Sequence, residues 1–445
     1  MFISWLKKGL LTGLMSVCLT AMIGLLLVGI ACAEPIEIVI QGNPNQMRAL
    51  QPLIDEYNAQ QNRIHVSLIN TEISNEQMVV NYVAGLLPDI IESGPRFNHV
   101  LARAGILTDL TPYIQRAGGS TFMAQFIPAT LLESQHNGRY YALPTIFSIE
   151  GMYYNPEVLG QSGLSAPSAG WTWDDLKKMA QKARRYNPDG SKQIYPIISE
   201  GWFQADFPML GQAGGEFVTQ DYKVVINSQP VRDTFGFITQ MIDEDLWEHI
   251  GNGVSSIHGP NERVPNEAWF TRTAFTFSAT YRQERFTQNN APFVTAPPIR
   301  YKTDTSPSTR FTDRGWAICN VSQERKDAAW EVVSYLLQPK QLAQWVASMG
   351  MIPATRGAII DPVFRNYLNT NKNMQTWVNE YSSLPPARAF PFEMEEDMYL
   401  ADGAVVADLH RQMLKRTISV EAFITEAKRA LENLINDPDR PWRHN

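Results

Sequence analysis

Residues 36–40 read Ile-Glu-Ile-Val-Ile, a short apolar strand, and the next apolar residues, Met47, Leu50, Leu53, Ile54 and Tyr57, recur at helical spacing. Residues 64–69 then return to a β-like pattern, so the chain opens with a β-α-β unit. Parallel strands need a crossover, and a sheet made this way is covered by helices on both faces. The pattern continues with helical spacing over 78–87 and an apolar strand at Pro88-Asp89-Ile90-Ile91-Glu92. A mainly parallel α/β sheet follows. Pro52 falls inside the first helical pattern, so that helix is expected to begin near it or to kink there.

Further along, Asn137-Gly138 is a hairpin signal. It leads into one strand at 139–143 and another at 151–154, joined through Pro144. Thr172 with Asp175 three residues on is a capping box opening a helix with Trp173, Leu176, Met179, Ala180 and Ala183 on one face. Residues 187–300 mix short strands with loops and carry the weakest pattern. Residues 311–320 read as a strand, Ser322 starts a helix that stops before Pro339, and a second helix carries Leu342, Trp345 and Val346. The tail over 419–436 is an amphipathic helix. At 445 residues the chain exceeds the usual size of one core, which favours two domains.

The first residues have the layout of an export signal: Lys7 and Lys8, an uncharged apolar run over 9–31, then Ala31-Cys32-Ala33 before Glu34. Residues 1–33 are therefore expected to be a signal peptide, placing the protein in the periplasm or cell envelope. The run is long enough to span a bilayer, and Cys32 is a candidate for lipidation, so an N-terminal anchor is the alternative. Removal takes two lysines and no acid, moving the formal charge from −7 to −9. An acidic chain without a basic block is a poor partner for nucleic acid or an anionic membrane, and neither is expected. Cys319 alone is left, so no intramolecular disulfide can form.

Catalytic signatures are missing: there is no G-x-S-x-G, S-x-x-K, H-E-x-x-H, C-x-x-C or phosphate loop. The histidines (65, 99, 136, 249, 258, 410 and 444) never fall three or four apart, so no metal site and no cofactor are expected. Acid runs such as Asp243-Glu244-Asp245 read as solvated charge, since adjacent acids on a helix point in different directions. Aromatic residues are frequent, 11 Trp, 16 Tyr and 20 Phe, and several sit in loops beside Gly, Ser or charged groups: 201–204, 277–281 and 314–316. Rings beside hydroxyl, carboxylate and guanidinium groups suit a sugar, although core packing explains any single ring more simply.

Three stretches together carry a family resemblance. Residues 138–183, GRYYALPTIFSIEGMYYNPEVLGQSGLSAPSAGWTWDDLKKMAQKA, and residues 315–358, GWAICNVSQERKDAAWEVVSYLLQPKQLAQWVASMGMIPATRGA, resemble signatures of the extracellular solute-binding proteins of ABC importers. NQMRALQPLIDEYNAQQNRIHV with LLPDII is similar to that family's opening β-α-β unit. The group resembled is the large sugar-binding one that includes maltodextrin and glycerol-3-phosphate binders.

The resemblance implies an α/β, two-lobed periplasmic-binding-protein fold (type II), with discontinuous lobes, a hinge and a ligand cleft. Crossings would fall near 147–150, 310–315 and 352–356. Lobe one would be 34–147 plus 316–352, and lobe two 148–315 plus 353–445. Carried over position by position, the ligand contacts would be Gln41, Asn43, Glu92, Arg96, Ser148, Glu150, Trp202, Ser278, Tyr281, Arg314, Trp316 and Met351. Glu150, Glu92 and Asn43 would bind hydroxyls, and Trp202 and Trp316 would offer stacking surface. Arg96 or Arg314 would bind hydroxyls or an anionic group, or simply pair with a hinge acid. The ring and histidine common after the first strand in relatives are replaced by Gln41-Gly42, and Met351 stands where some relatives place a ring. The implied function is a monomeric, non-enzymatic receptor that hands a sugar or polyol derivative to ABC importer permease subunits. The alternatives are a secreted carbohydrate-active hydrolase, which needs two facing carboxylates, and a sensory relative signalling to a membrane partner.

Overall fold

The computed structural model describes residues 34–131, 134–200, 203–250, 266–394, 398 and 404–437. The expected signal peptide, residues 1–33, lies outside them. Strands β1 (Ile36–Gln41), β2 (Ile64–Ile69) and β3 (Ile90–Ser93) pair in parallel in the order β2-β1-β3. The connecting helix, Pro44–Gln60, starts eight residues before Pro52 and runs through it, so the expectation of a start near Pro52 is corrected. Asn43 supplies the start: its side chain accepts from the Asn45 N–H and Pro44 occupies the first helical turn, where no donor is needed.

The sheet is mixed rather than mainly parallel, because its centre is antiparallel. β4 (Leu143–Tyr154) lies between β7 (Thr273–Ala279) and β8 (Phe311–Ile318), antiparallel to both. On the far side β7 pairs in parallel with β5 (Lys192–Glu200), and β5 with β6 (Trp247–Ile250). The short strand β9 (Ile352–Pro353) also pairs with β4, opposite Phe147 and Ile146.

β4 is the element that positions the site. Leu143 through Ile149 pair with β8, whereas Glu150 through Tyr154 pair with β7. One strand thus belongs to both halves of the sheet, and its partners change between Ile149 and Glu150. The expected break at Pro144 does not occur, since Pro144 sits inside the strand opposite Gly315, where β8 has a register shift. A bulge tolerates a residue without an N–H. Gly315 is required there, because a Cβ would lie 2.4 Å from the Leu143 carbonyl oxygen. The Asn137-Gly138 hairpin forms as the dipeptide predicts, with φ of 50° and 70°.

Two large cores flank β4. One gathers Ile38, Ile40, Leu50, Ile54, Val332, Val333 and Trp345; the other gathers Leu176, Phe217, Phe235, Phe275, Phe423 and Leu431. Met152 and Tyr153, adjacent in β4, face opposite sides and join different cores. The helices expected after Ser322 and Ser419 form as Gln323–Leu336 and Val420–Asn436, each capped by that serine. Thr172 and Asp175 complete the capping box. Ala358 and Phe364, beyond β9, pack into the first core. Among the described residues, no helix is long and apolar enough to cross a membrane. Cys319 is buried and unpaired.

Candidate functional site

Two polar clusters lie along β8, one at each arginine that flanks the change of partners. The first is built from the ends of β1 and β3. Glu92, whose side chain is fully buried, accepts from the Asn43 N–H at 3.3 Å and from Arg314 Nη1 at 3.3 Å. Its other oxygen, Oε1, has no partner among the described residues. Gly42 permits this approach, since a Cβ there would meet the Glu92 Cβ at 2.7 Å. Arg314 also reaches Glu72 at 3.6 Å. Asn43 spends its side chain on the helix cap and on Glu72, 2.8 Å away, and Gln41 donates to the Thr71 carbonyl at 3.1 Å. Burial pushes the Glu92 carboxyl above its ordinary range, against the pull of Arg314.

The second cluster surrounds the middle of β4. Glu150 accepts from Arg310 Nη1 at 2.7 Å, and its Oε2 has no partner among the described residues. Backbone bonds fix the pair, because the Glu150 N–H donates to the Arg310 carbonyl at 3.0 Å and Thr309 Oγ1 bonds the Glu150 carbonyl. Ser148 Oγ lies 2.8 Å from Thr280 Oγ1 and accepts from the Tyr281 N–H at 3.3 Å. Tyr281 Oη donates to Glu200 at 3.4 Å, and Glu200 is held by Arg282 at 2.6 Å. Ser278 Oγ is buried without a partner among the described residues. Burial raises the Glu150 carboxyl and outweighs Arg310, and Glu200 and Asp206 push the same way. Tyr281 is likewise pushed well above the phenol range by burial, then by Glu200 and Glu150.

Arg310 also lines a cavity of about 30 Å³ with Ala129, Gln204, Phe207, Phe311 and residues 386–390. Ala129 packs against the first core and Phe390 belongs to the second, so this gap lies between the two. Ser148, Glu150 and Tyr281 therefore come together, Ser278 pairs opposite Gly151 and so lies on the other face of the sheet from Glu150, and Gln41, Asn43, Glu92 and Arg314 form the neighbouring group. Met351 is half-buried against the first core, just before β9. Trp202 and the side chain of Arg96 lie outside the described residues.

Trp316 is corrected. It is fully buried and stacks on Trp345 with ring centroids 5.1 Å apart and planes at 19°, so it packs the first core instead of offering a stacking face. Sequence reasoning missed Arg310, Glu200 and Arg282. The signal for Arg282 was its place beside Tyr281; nothing local marks Arg310 over Arg314, since only the β4 to β8 register decides which arginine faces Glu150. Each carboxylate of the second cluster is held by its own arginine, an arrangement suited to fixed hydrogen bonding more than to proton transfer.

Away from the clusters, Asp206 is buried with His410 at 2.9 Å and His249 at 3.9 Å. Burial would raise its carboxyl, but the bond to His410 and the nearby His249 prevail and hold it at about 2. The histidines lack helical ligand spacing, as the sequence shows, and the fold nevertheless gathers three potential ligands. His99, His136 and Glu393 bring one ligand atom each to within 4.8 Å of one another, though 37 residues separate the histidines.

The family described as bacterial extracellular solute-binding protein matches residues 41–343. Among curated relatives, a binding protein of Brucella abortus (strain 2308) is 21% identical over 337 residues, 74% of this chain and 75% of its own. The cyclic alpha-maltosyl-1,6-maltose binding protein from Arthrobacter globiformis has a similar structure, with a TM-score of 0.72 at 19% identity, covering 90% of this chain and 99% of that one. UgpB from Mycobacterium tuberculosis, solved in complex with glycerophosphocholine, matches with a TM-score of 0.69 at 17% identity, covering 91% and 98%. These likenesses establish the two-lobed α/β binding-protein fold.

Proposed function

The chain belongs to the bacterial extracellular solute-binding proteins, and we propose that its interlobe cleft captures a carbohydrate or polyol-type solute and presents it to the permease subunits of an ABC importer. The observation that carries this reading is the state of the two buried carboxylates. Glu92 and Glu150 are each fixed through one oxygen by an arginine, while the second oxygen has no partner among the described residues. Ser278 Oγ, on the other face of the sheet from Glu150, is a buried hydroxyl in the same condition. A buried acceptor left unsatisfied costs about 1–3 kcal/mol. A solute rich in hydroxyl donors would satisfy both acids in a fixed geometry, and an apolar solute would satisfy neither.

In this reading lobe one comprises 34–147 plus 316–352, and lobe two 148–315 plus 353–445, with Ala358 and Phe364 reaching back to the first core. Glu150 stands at the crossing, where β4 changes partners. Closure of the lobes would bring both clusters onto one solute, and the closed form would be what the permease reads. The chain would act as an exported monomer, released after Ala33 or anchored through Cys32. Glycerophosphocholine and the cyclic maltosyl-maltose of the structural relatives give the chemical range to search.

A thermal-shift screen over neutral sugars, polyols and phosphorylated polyols tests the proposal. A ligand at a hundred times its dissociation constant stabilises the native state by about 2.7 kcal/mol. A hit that raises the midpoint without being consumed supports it. No shift across the whole panel, or turnover of an oligosaccharide, would overturn it.

A further inference from the structure

A second constellation lies apart from β4 and β8. His99 is on the helix Pro95–Arg103 and His136 on the hairpin strand Gln135–His136, and they are 3% and 6% exposed. Their Nδ1 atoms are 3.4 Å apart. That is longer than an ordinary hydrogen bond between nitrogen donors and acceptors, but it matches the separation of roughly 3.3–3.4 Å between two imidazole ligands on a tetrahedral cation with bonds of about 2.0–2.1 Å. Glu393 brings a carboxylate oxygen into the same group, all within 4.8 Å. Among the described residues His99 Nε2 is buried without a hydrogen-bond partner, and the polar contact of this imidazole is the one its Nδ1 makes with His136.

We propose that His99, His136 and Glu393 form a binding site for a divalent transition cation of the zinc class, with water as the fourth ligand, and that the bound ion braces the two lobes against each other. The donor set of two imidazoles and one carboxylate suits zinc better than magnesium or calcium, which prefer oxygen alone. The bracing follows from where the ligands come from. Leu101, two residues past His99, and Ala142, on the segment leaving the hairpin that carries His136, share a small core with Ile91 and Ala317 of β3 and β8. Glu393 is followed by Met394 and preceded by Phe390, both in the core of the other half. Separation of the halves would carry Glu393 away from the histidine pair.

The charged groups facing the cluster set its strength. Arg103 acts on both imidazoles, and Glu393 on His136. Arg103 repels the cation and Glu393 attracts it, which makes Glu393 the deciding ligand.

The test uses the full exported chain with Zn²⁺ and Co²⁺ as probes, and no solute enters it, so it stands apart from the transport reading. The expected results are one Zn²⁺ per chain by calorimetry, a raised unfolding midpoint, and visible absorption from tetrahedral Co²⁺. Glu393→Gln keeps both imidazoles and should weaken binding by at least about tenfold. His99→Ala and His136→Ala should abolish the Co²⁺ bands. Zn²⁺ should slow hydrogen exchange both in 134–141 and in 386–394. Absence of binding, or Co²⁺ bands unchanged in Glu393→Gln, would overturn the site; slowed exchange in only one segment would overturn the brace.

Discussion

Removing Arg310 should expose how Glu150 is held. The two side chains are 15% and 10% exposed, and burial already raises the Glu150 carboxyl despite its arginine. Arg310→Ala leaves that charge without its main counterion, and breaking a buried pair from one side costs about 3–5 kcal/mol. Arg63→Ala, which breaks the half-exposed pair with Glu331, should cost no more than about 1 kcal/mol. The pH dependence has a definite sign. Without Arg310 the folded-state pKa of Glu150 rises further above the unfolded value, so the native variant binds a proton that the unfolded chain releases near neutrality. Its deficit should therefore shrink as pH falls from 7 towards 5. Replacing both, as Glu150→Gln with Arg310→Met, removes the stranded charge and should recover most of the loss. Urea unfolding of the four proteins at both pH values measures this. A loss below about 1 kcal/mol for Arg310→Ala, or a deficit that widens on acidification, would refute the reasoning.

Trp316→Ala should cost about 3–5 kcal/mol by emptying the contact with Trp345, whereas Trp316→Phe should leave solute affinity within a few-fold of wild type; an affinity collapse in a stably folded Phe variant would restore Trp316 to the site. Gly315→Ala should lower the unfolding midpoint by several degrees, because its Cβ would collide with the Leu143 carbonyl. Asp206, held at about 2, contributes roughly 2 kcal/mol that is present above pH 4 and lost as pH falls towards 2. Asp206→Asn should therefore be less stable at pH 7, with the difference narrowing in acid; a constant difference in urea titrations from pH 7 to 2.5 would contradict this.

The parts of the fold visible in the sequence are those encoded locally. Met47, Leu50, Leu53, Ile54 and Tyr57 mark a helix face, Thr172 and Asp175 mark a helix start, and Asn137-Gly138 marks a turn that requires positive φ. Pro144 misled because its tolerance depends on a bulge in β8, about 170 residues away in the chain. The antiparallel centre of the sheet was hidden for the same reason, since strand direction is set by pairing between distant segments. In the site, the family resemblance marked Glu150, and the structure buries it at the change of strand partners. Its partner could not be chosen, because Arg310 and Arg314 differ only in register. Trp316 showed the opposite failure: a ring beside Arg and Gly resembles a sugar-binding surface, yet its strand position turns it towards Trp345. His99, His136 and Glu393 are brought together only by the tertiary fold, so no spacing rule finds them.

The claim that matters most is that a solute binds against Glu150 between the lobes. Gln at this position keeps an oxygen that can accept from Arg310, so the fold should survive, while a charge-assisted contact to the solute is lost. Calorimetric titration of wild type and Glu150→Gln with the strongest solute from the thermal-shift screen measures it directly. The account predicts at least about a tenfold loss of affinity, equivalent to about 1.4 kcal/mol, in a variant that unfolds near the wild-type midpoint. Equal affinity in the two proteins would contradict it and leave Glu150 as a hinge residue paired with Arg310.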